Sequence, residues 1–391
     1  MKKMFLLIVV FAGLQQACTE KTNEPISPSS GKPGLVTEVS VQNVPGGAIV
    51  TYRIPNQADV ISVKAVYKIT TGKQYEAVSS MYENKVAVMG FNDTENHEVL
   101  LYTVNRGQEL SEPVKCTIKP LASPLSLAAK TVQIQGDFGG ARFTWANEQK
   151  SPLAFEFYTP DSLGRMALAR VVNSQVEAGS QALRGYAPVP REFGVVVKDN
   201  FGNRSDTIFP AGRKITPLFE ERLPKATMKI MKLANDQNFT NWEGSDQKII
   251  DDDKTSFGHS PSSSLPAPFT LDLGMLAKVS RIVLFQRKFG DSYFNWGNPR
   301  AFDVYVKVGT PSQSGDWGEW KKIMETEIIK PSGAASGTVT DDDLRAGENG
   351  HEFTFDLSQE PVRYIRIVVR STWGSTTFTH PAEVDVYGER K

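Results

Sequence analysis

The sequence is poor in the residues on which nucleophilic and metal-dependent catalysis depends. Its 391 residues include two cysteines and four histidines. Cys116 lies in an alternating apolar and polar stretch, which predicts a small buried thiol, and a catalytic cysteine would need a histidine partner. The nucleophile-elbow, zinc-protease, P-loop and dinucleotide-binding motifs are missing as well. We therefore do not expect an enzyme.

The sequence also has no excess of charge of one sign. Lys and Arg together number 44, as do Asp and Glu, so the formal net charge is zero. A nucleic-acid-binding chain would carry a basic face, so no nucleic-acid partner is expected. No apolar run is long enough to span a bilayer. Hydrophobic residues make up 40% of the chain, which supports packed cores, and the length predicts two or three domains.

The first seventeen residues have the layout of a secretory signal peptide. Lys2 and Lys3 precede an apolar run over residues 4–14. Ala17 and Cys18 follow, and a small residue directly before a cysteine resembles the lipobox of bacterial lipoproteins. The resemblance implies that residues 1–17 are removed and that Cys18 is lipidated as the mature N-terminus. The alternative is a plain cleaved signal peptide with an incidental Cys18.

The segment after Cys18 predicts a flexible tether over residues 18–34, because it is rich in Pro, Ser, Lys and Gly. Glu20 and Glu24 resemble the acidic surface-export signal of Bacteroidetes lipoproteins. This resemblance implies a protein attached to the outer membrane through its lipid and facing the cell surface. The inner face of the outer membrane remains the alternative.

The region from residue 35 to residue 217 predicts two β-sandwiches in tandem. Short β-branched and aromatic runs alternate with turns rich in Gly, Pro, Asn and Asp. The two prolines within residues 120–124 predict a joint, so the predicted domains are 35–120 and 121–217. Their length and strand rhythm resemble fibronectin type III modules. Both segments end in a polar hairpin tip between two terminal strands.

The C-terminal region, residues 225–391, holds five of the six tryptophans and strong strand signals. Six segments resemble discoidin (F5/8 type C) domains in the order of that family: IIDDDKTSFGHS (249–260), FTLDLG (269–274), VSRI (279–282), NPRAFDVY (298–305), RYIRI (363–367) and AEVDVYG (382–388). The resemblance implies a jelly-roll sandwich, so the predicted class is all-β throughout. The same fold builds family 32 carbohydrate-binding modules.

The resemblance also implies a structural calcium site between the acidic loop and the last strand. Its ligands would be Asp251, Asp253, Ser256 and Glu383, with backbone carbonyls completing the oxygen shell that Ca²⁺ requires. The alternative is a solvated acidic turn. The loop departs from the family in having Asp252 for a glycine and Gly258 for a tryptophan.

Two loops rich in aromatic residues are the predicted ligand-binding surface. Aromatic faces stack on sugars, and planar polar side chains bond their hydroxyls. The residues expected to converge are Trp296, Phe294, Arg300, Trp373, Arg287 and His259. The alternative for Trp296 and Trp373 is that they plug the ends of the sandwich.

The architecture resembles Bacteroidetes lipoproteins that occur with outer-membrane glycan-uptake systems. The resemblance implies a non-catalytic lipoprotein that binds a polysaccharide or oligosaccharide through its C-terminal domain, with an outer-membrane transporter as a partner. The alternative function is an assembly subunit that docks on an outer-membrane protein. The sequence leaves the sugar and the oligomeric state open.

Overall fold

The computed structural model describes residues 31–290 and 293–391. The predictions for the signal peptide, for lipidation of Cys18 and for most of the tether lie outside the described residues. None of the helices in the described ranges combines the length and the apolarity needed to cross a membrane.

Antiparallel β-structure dominates the described residues, with two short α-helices. The strands before residue 120 are β1 (Thr37–Val44), β2 (Gly47–Arg53), β3 (Val60–Lys68), β4 (Gln74–Ser80), β5 (Lys85–Met89), β6 (His97–Asn105) and β7 (Val114–Ile118). Those up to residue 215 are β8 (Gln133–Asp137), β9 (Gly140–Ala146), β10 (Leu153–Pro160), β11 (Met166–Ser174), β12 (Ala178–Leu183), β13 (Arg191–Glu192), β14 (Gly194–Lys198) and β15 (Lys214–Ile215). The rest are β16 (Glu221–Arg222), β17 (Lys229–Met231), β18 (Ala267–Gln286), β19 (Pro299–Lys307), β20 (Lys321–Glu327), β21 (His351–Thr354), β22 (Val362–Thr372) and β23 (Pro381–Arg390). The helices are α1 (Pro124–Thr131) and α2 (Asp341–Asn349).

The first seven strands form a sandwich of two sheets, ordered β1-β2-β5 and β4-β3-β6-β7. Along β2 and β3, buried positions alternate with half-buried ones, as expected from the two-residue period of a strand with one face on the core. Val50 of one sheet and Val63 and Leu101 of the other are buried in one core. The predicted β-sandwich is confirmed for this segment.

The following strands form a second pair of sheets, ordered β11-β10-β14 and β12-β9-β8. Trp145 on β9 stacks on Phe155 of β10, with ring centroids 4.2 Å apart, so aromatic rings fill the space between the sheets. Helix α1 begins at Pro124, where the sequence predicted only a joint. Ser123 caps it by accepting a hydrogen bond from the Ser126 amide, and a proline is well suited to the first helical position.

The contacts divide the chain into two units. Among the described residues, one comprises residues 31–134, 143–181 and 192–213, and the other comprises residues 135–142, 182–191, 214–290 and 293–391. This division does not follow the predicted boundaries at residues 120 and 217, which stay a prediction. Within the second unit, Arg184 donates to Glu352 at 3.1 Å and lies 3.7 Å from Glu220, so ion pairs tie residues 182–191 to the C-terminal segment.

The C-terminal strands form a sheet ordered β16-β23-β18-β22-β19-β20, which β17 and β21 join through β18. The 20-residue strand β18 changes its partner within the main sheet along its length: residues 267–272 pair with β22, and residues 277–286 pair with β23. Gly274, with φ +72°, lies at the bend between these halves, a conformation that glycine adopts without steric cost. Phe269, Ile282, Phe302 and Ile367 lie in the core that this folded sheet encloses.

Candidate functional site

Three loops of the C-terminal sandwich meet at one end of its strands. Gln286, the last residue of β18, pairs with Pro381, the first of β23. Pro299, the first of β19, pairs with Thr372, the last of β22. The loop after β18 and the loop before β23 therefore leave the sheet side by side, and a third loop, between β17 and β18, joins them. Loops on a rigid frame are a common place for binding residues.

One buried amide holds the loop between β18 and β19 in shape. The side chain of Asn298 accepts a hydrogen bond from the Arg287 amide at 2.8 Å and donates to the carbonyls of Arg287 and Tyr293. Asn298 is fully buried, so water cannot replace a lost hydrogen-bond partner, and losing one would destabilise the fold. The two described ends of this loop are thereby fixed to each other.

Hydrogen bonds also lock the three loops together. The Thr379 amide donates to Ser260 Oγ at 2.9 Å, and the Thr379 hydroxyl donates to the Gly297 carbonyl at 2.9 Å. The Gly297 amide in turn donates to Nε2 of His380 at 3.0 Å. Each loop thus supplies partners for another, and the surface they form is preorganised.

These loops enclose an open cleft of about 500 Å³, which we call the aromatic cleft. Aromatic rings make up most of its wall, and a few polar side chains stand among them. Its lining residues are Asn241, Trp242, Glu243, Phe257, His259, Ser262, Arg287, Phe289, Trp296, Phe378 and His380. An apolar cleft with a small number of polar groups is the usual form of a small-molecule or sugar site.

Two tryptophans of the cleft adopt a strained backbone and remain exposed. Trp242 has φ +54° and Trp296 has φ +46°, in the left-handed region that bulky residues avoid. Their side chains are 86% and 53% exposed, so burial does not explain the strain. Phe289, also exposed, packs beside Trp296 with ring centroids 5.5 Å apart. Strained residues of this kind cluster at functional sites.

Arg287 is the cation of the cleft. Its guanidinium lies 3.6 Å from the centre of the Phe257 ring, which holds the planar group against the wall. Burial lowers the pKa of Arg287, and the charge of Glu243 opposes this effect. Within the described ranges, the guanidinium has no hydrogen bond or ion pair to another side chain. Its donors are therefore available to a ligand.

The two histidines of the cleft are neutral. His380 accepts the Gly297 amide at Nε2, which requires an unprotonated nitrogen there, and burial lowers its pKa to about 3. Nδ1 of His259 lies 2.8 Å from the Ser260 carbonyl, which only accepts, so this nitrogen carries the proton. Burial lowers the pKa of His259 as well. His259 stacks on Phe378 at 4.7 Å, so the floor of the cleft is uncharged.

The six residues predicted to bind ligand are not all brought together. Trp296, Arg287 and His259 line the aromatic cleft. Arg300 and Trp373 line a second cleft of about 400 Å³, where the guanidinium lies 5.0 Å from the indole. The structure therefore places them apart from the other three, since Arg300 lies on strand β19, beyond the loop that carries Trp296.

Phe294, which was also predicted to contact a ligand, does not line either cleft. Its side chain is 0% exposed and packs edge-on against Trp373, with ring centroids 5.2 Å apart. A ring in this position supports the loop from beneath, and neither of its faces is accessible to a ligand. Trp373 is half-buried against the same core, which agrees with the alternative that it closes the end of the sandwich.

Four lining aromatic residues were not predicted, namely Trp242, Phe257, Phe289 and Phe378. Trp242 and Phe378 come from loops remote in sequence from the one that carries Trp296. The sequence around Trp242 gave the one usable signal. Its neighbours are Asn, Glu, Gly and Ser, so the segment is not a predicted strand and offers no apolar face on which to bury a large ring. Which of these rings meet at one cleft depends on the pairing of β18 with β23.

The four residues predicted to bind calcium do not fit the ion. Asp251 accepts hydrogen bonds from the Ser256 hydroxyl at 2.9 and 3.0 Å, and Asp253 accepts from Thr255. Glu383 is buried and accepts a hydrogen bond from Lys225. Burial raises the pKa of Glu383 to about 7, although the hydrogen bond and the positive charge of Lys225 act to lower it. No group of three or more His, Cys, Asp or Glu side chains in the described ranges is arranged to hold a metal.

Three families, each described as a domain of unknown function, match consecutive parts of the chain. DUF4959 matches residues 33–120, DUF5126 matches residues 121–226, and DUF5000 matches residues 245–388. The aromatic cleft is lined mainly by residues of the third match. A comparison with curated proteins finds no match.

Several solved structures are similar to parts of the chain. SusE-like protein BT2857 is 28% identical, with a TM-score of 0.45, over 68% of this chain and 98% of its own. A family 32 carbohydrate-binding module of a Clostridium perfringens glycoside hydrolase is 21% identical, with a TM-score of 0.26, over 41% and 93%. A two-domain fibronectin type III segment of chicken tenascin is 13% identical, with a TM-score of 0.22, over 44% and 96%. Both kinds of domain named from the sequence are thus among the similar structures.

Proposed function

We propose that this chain is a non-catalytic glycan-binding protein of the cell envelope and that the aromatic cleft is its binding site. The observation that carries the proposal is the pair Trp242 and Trp296, two exposed indoles in strained backbone conformations on one cleft. Strain of this kind costs about 1–3 kcal/mol per residue, and folding alone gains nothing from keeping the rings in water.

The chemistry of the cleft suits a carbohydrate. Indole and phenyl faces stack on the apolar C–H faces of a sugar ring, and Trp242, Trp296 and Phe289 offer such faces. Arg287 supplies a planar group of donors, and Asn241 and Glu243 supply acceptors, which together match neighbouring hydroxyls. The uncharged histidines keep the floor apolar. An open cleft with these properties accommodates one or a few sugar units of a longer chain.

The cellular setting of the proposal comes from the sequence. Lipidation of Cys18 would attach the chain to the outer membrane through the tether, with the two preceding sandwiches as spacers. Surface exposure, membership of a polysaccharide-uptake system and an outer-membrane transporter as partner belong to the same proposal. Each is supported by the resemblance to Bacteroidetes lipoproteins.

The test is a glycan array followed by calorimetric titration of the chain from residue 18 onward. Trp242→Ala and Trp296→Ala should each weaken binding by about tenfold or more, since each removes a stacking face worth about 1.4 kcal/mol or more. Tyr82→Ala is the matched control, because Tyr82 is 89% exposed and lies in the first sandwich. Its binding should equal that of the wild type.

A folded protein that binds no glycan on a broad array would contradict the proposal and favour the docking alternative. Equal binding by the wild type and both tryptophan variants would place the glycan elsewhere and would also contradict the assignment of the cleft. Tryptophan fluorescence of each variant shows whether the domain has kept its fold.

A further inference from the structure

Lys225 occupies a position in which a cation is surrounded by carboxylates. Its ammonium donates to Glu383 Oε1, lies 2.8 Å from Asp385 Oδ1 and lies 3.7 Å from Asp252 Oδ1. The Lys225 side chain is 5% exposed, and those of Glu383 and Asp385 are 1% and 8% exposed. An ammonium has three N–H donors, one for each of these three carboxylate oxygens.

These contacts join parts of the second unit that are far apart in sequence. Asp252 belongs to the acidic loop, and Glu383 and Asp385 belong to β23, the last strand. Lys225 comes from the segment that precedes β17 and is held in place by the Leu223 amide, which donates to the Val386 carbonyl at 2.8 Å. The ammonium therefore connects the beginning, the acidic loop and the end of the domain.

The charges of this cluster are already largely compensated. Arg222 donates to Asp385 at 2.7 Å and also to Asp252, so two cations face three carboxylates. A calcium ion needs six to eight oxygen ligands and would have to displace the ammonium from Glu383. The carboxylates of Asp251 and Asp253 are engaged in bonds within their own loop.

We propose that the ammonium of Lys225 takes the place of the structural calcium ion that the resemblance implies. The acidic loop and the last strand are joined by a cation that the chain itself provides. The domain accordingly folds and stays folded without a divalent metal, and its stability depends on a lysine that lies outside the acidic loop.

The first measurement uses the wild-type chain from residue 18 onward. Tryptophan fluorescence follows the C-terminal domain, because five of the six tryptophans lie after residue 225. The thermal midpoint is expected to be the same in EDTA and in millimolar CaCl2, and calorimetric titration with CaCl2 is expected to give no saturable heat. Stoichiometric calcium binding, or a midpoint raised by calcium, would overturn the proposal.

The second measurement changes the lysine. Lys225→Met leaves Glu383 and Asp385 buried without their cation, and the midpoint should fall by about 10 °C. Oε2 of Glu383 already has no hydrogen-bond partner in the described ranges, so the variant exposes a complete carboxylate beside Asp385 and Asp252. Calcium should therefore raise the midpoint of this variant, although it does not raise that of the wild type.

Two further variants keep the test decisive. Lys229→Met removes an exposed lysine four residues away and should leave the midpoint unchanged. If Lys225→Met does not fold, the double variant Lys225→Met with Glu383→Gln, which removes both charges, should fold and ignore calcium. A midpoint of Lys225→Met equal to that of the wild type, with no response to calcium, would refute the role of the ammonium.

Discussion

Acid should weaken the C-terminal sandwich through His380, which lies in the floor of the aromatic cleft. Burial lowers the pKa of His380 to about 3, against an ordinary value of 6.5. Below pH 6.5 the unfolded chain binds a proton at this position and the folded chain does not. The free energy of unfolding therefore decreases as the pH falls from 6.5 toward 3, and the stabilisation is complete above pH 6.5.

The size of the effect follows from this difference. Each pH unit below 6.5 costs about 1.4 kcal/mol, so the contribution of His380 falls by about 2 kcal/mol between pH 7 and pH 5. Burial lowers the pKa of His351 to about 4, which adds a loss in the same direction. Burial raises the pKa of Glu383 to about 7, which acts in the opposite direction over the same window. The quantity to measure is therefore a difference between variants.

The assay is urea denaturation followed by tryptophan fluorescence at pH 7 and pH 5, for the wild type and for His380→Gln. Glutamine has an oxygen that accepts the Gly297 amide but does not titrate. The loss of stability between the two pH values should be about 2 kcal/mol smaller in the variant. An equal loss in both proteins would refute the reasoning, because it would mean that His380 is not kept neutral by the fold.

Two more perturbations have outcomes that the structure specifies. Arg366 is fully buried and donates to Asp236 at 2.7 Å. Arg366→Met should lower the free energy of unfolding in urea by about 3–5 kcal/mol, because it leaves the buried carboxylate of Asp236 without its cation. Adding Asp236→Leu should recover much of that stability. A Cβ on Gly374 would lie 2.6 Å from the Trp296 Cα. Gly374→Ala should therefore weaken glycan binding in calorimetric titration, with a far smaller change in stability than that of Arg366→Met.

The strands could be predicted from the sequence because their burial is local and periodic. Alternating residues such as those of 269–274 and 279–285 gave strand positions that the structure confirms. They are one strand, β18, because Gly274 at φ +72° bends the chain without ending the strand. A glycine at this position is compatible with a turn that ends a strand or with a bend within one. Which of the two forms depends on the pairing with β22 and β23, which the sequence around Gly274 does not show.

The site could be predicted in part, because its residues are collected by pairing across long distances. Trp296 and Arg287 were found from one loop, but Trp242 enters from another and carries no periodic signal. Phe294, two residues before Trp296, is buried where Trp296 is exposed, and no periodic pattern in the loop distinguishes the two rings. Lys225 lies 158 positions from Glu383, and no local pattern marks them as partners.

The clamp formed by Asn298 has a consequence for the thermodynamics of ligand capture. Because this amide ties Arg287 and Tyr293 to Asn298, the described residues beside Trp296 are already held in place in the free protein, whereas many binding surfaces are ordered only in the complex. Under the proposed function, association with a sugar should then be limited by diffusion and orientation, without a slow rearrangement. The bound cleft should superimpose on the free one, and affinity should be tuned mainly by how fast the ligand leaves.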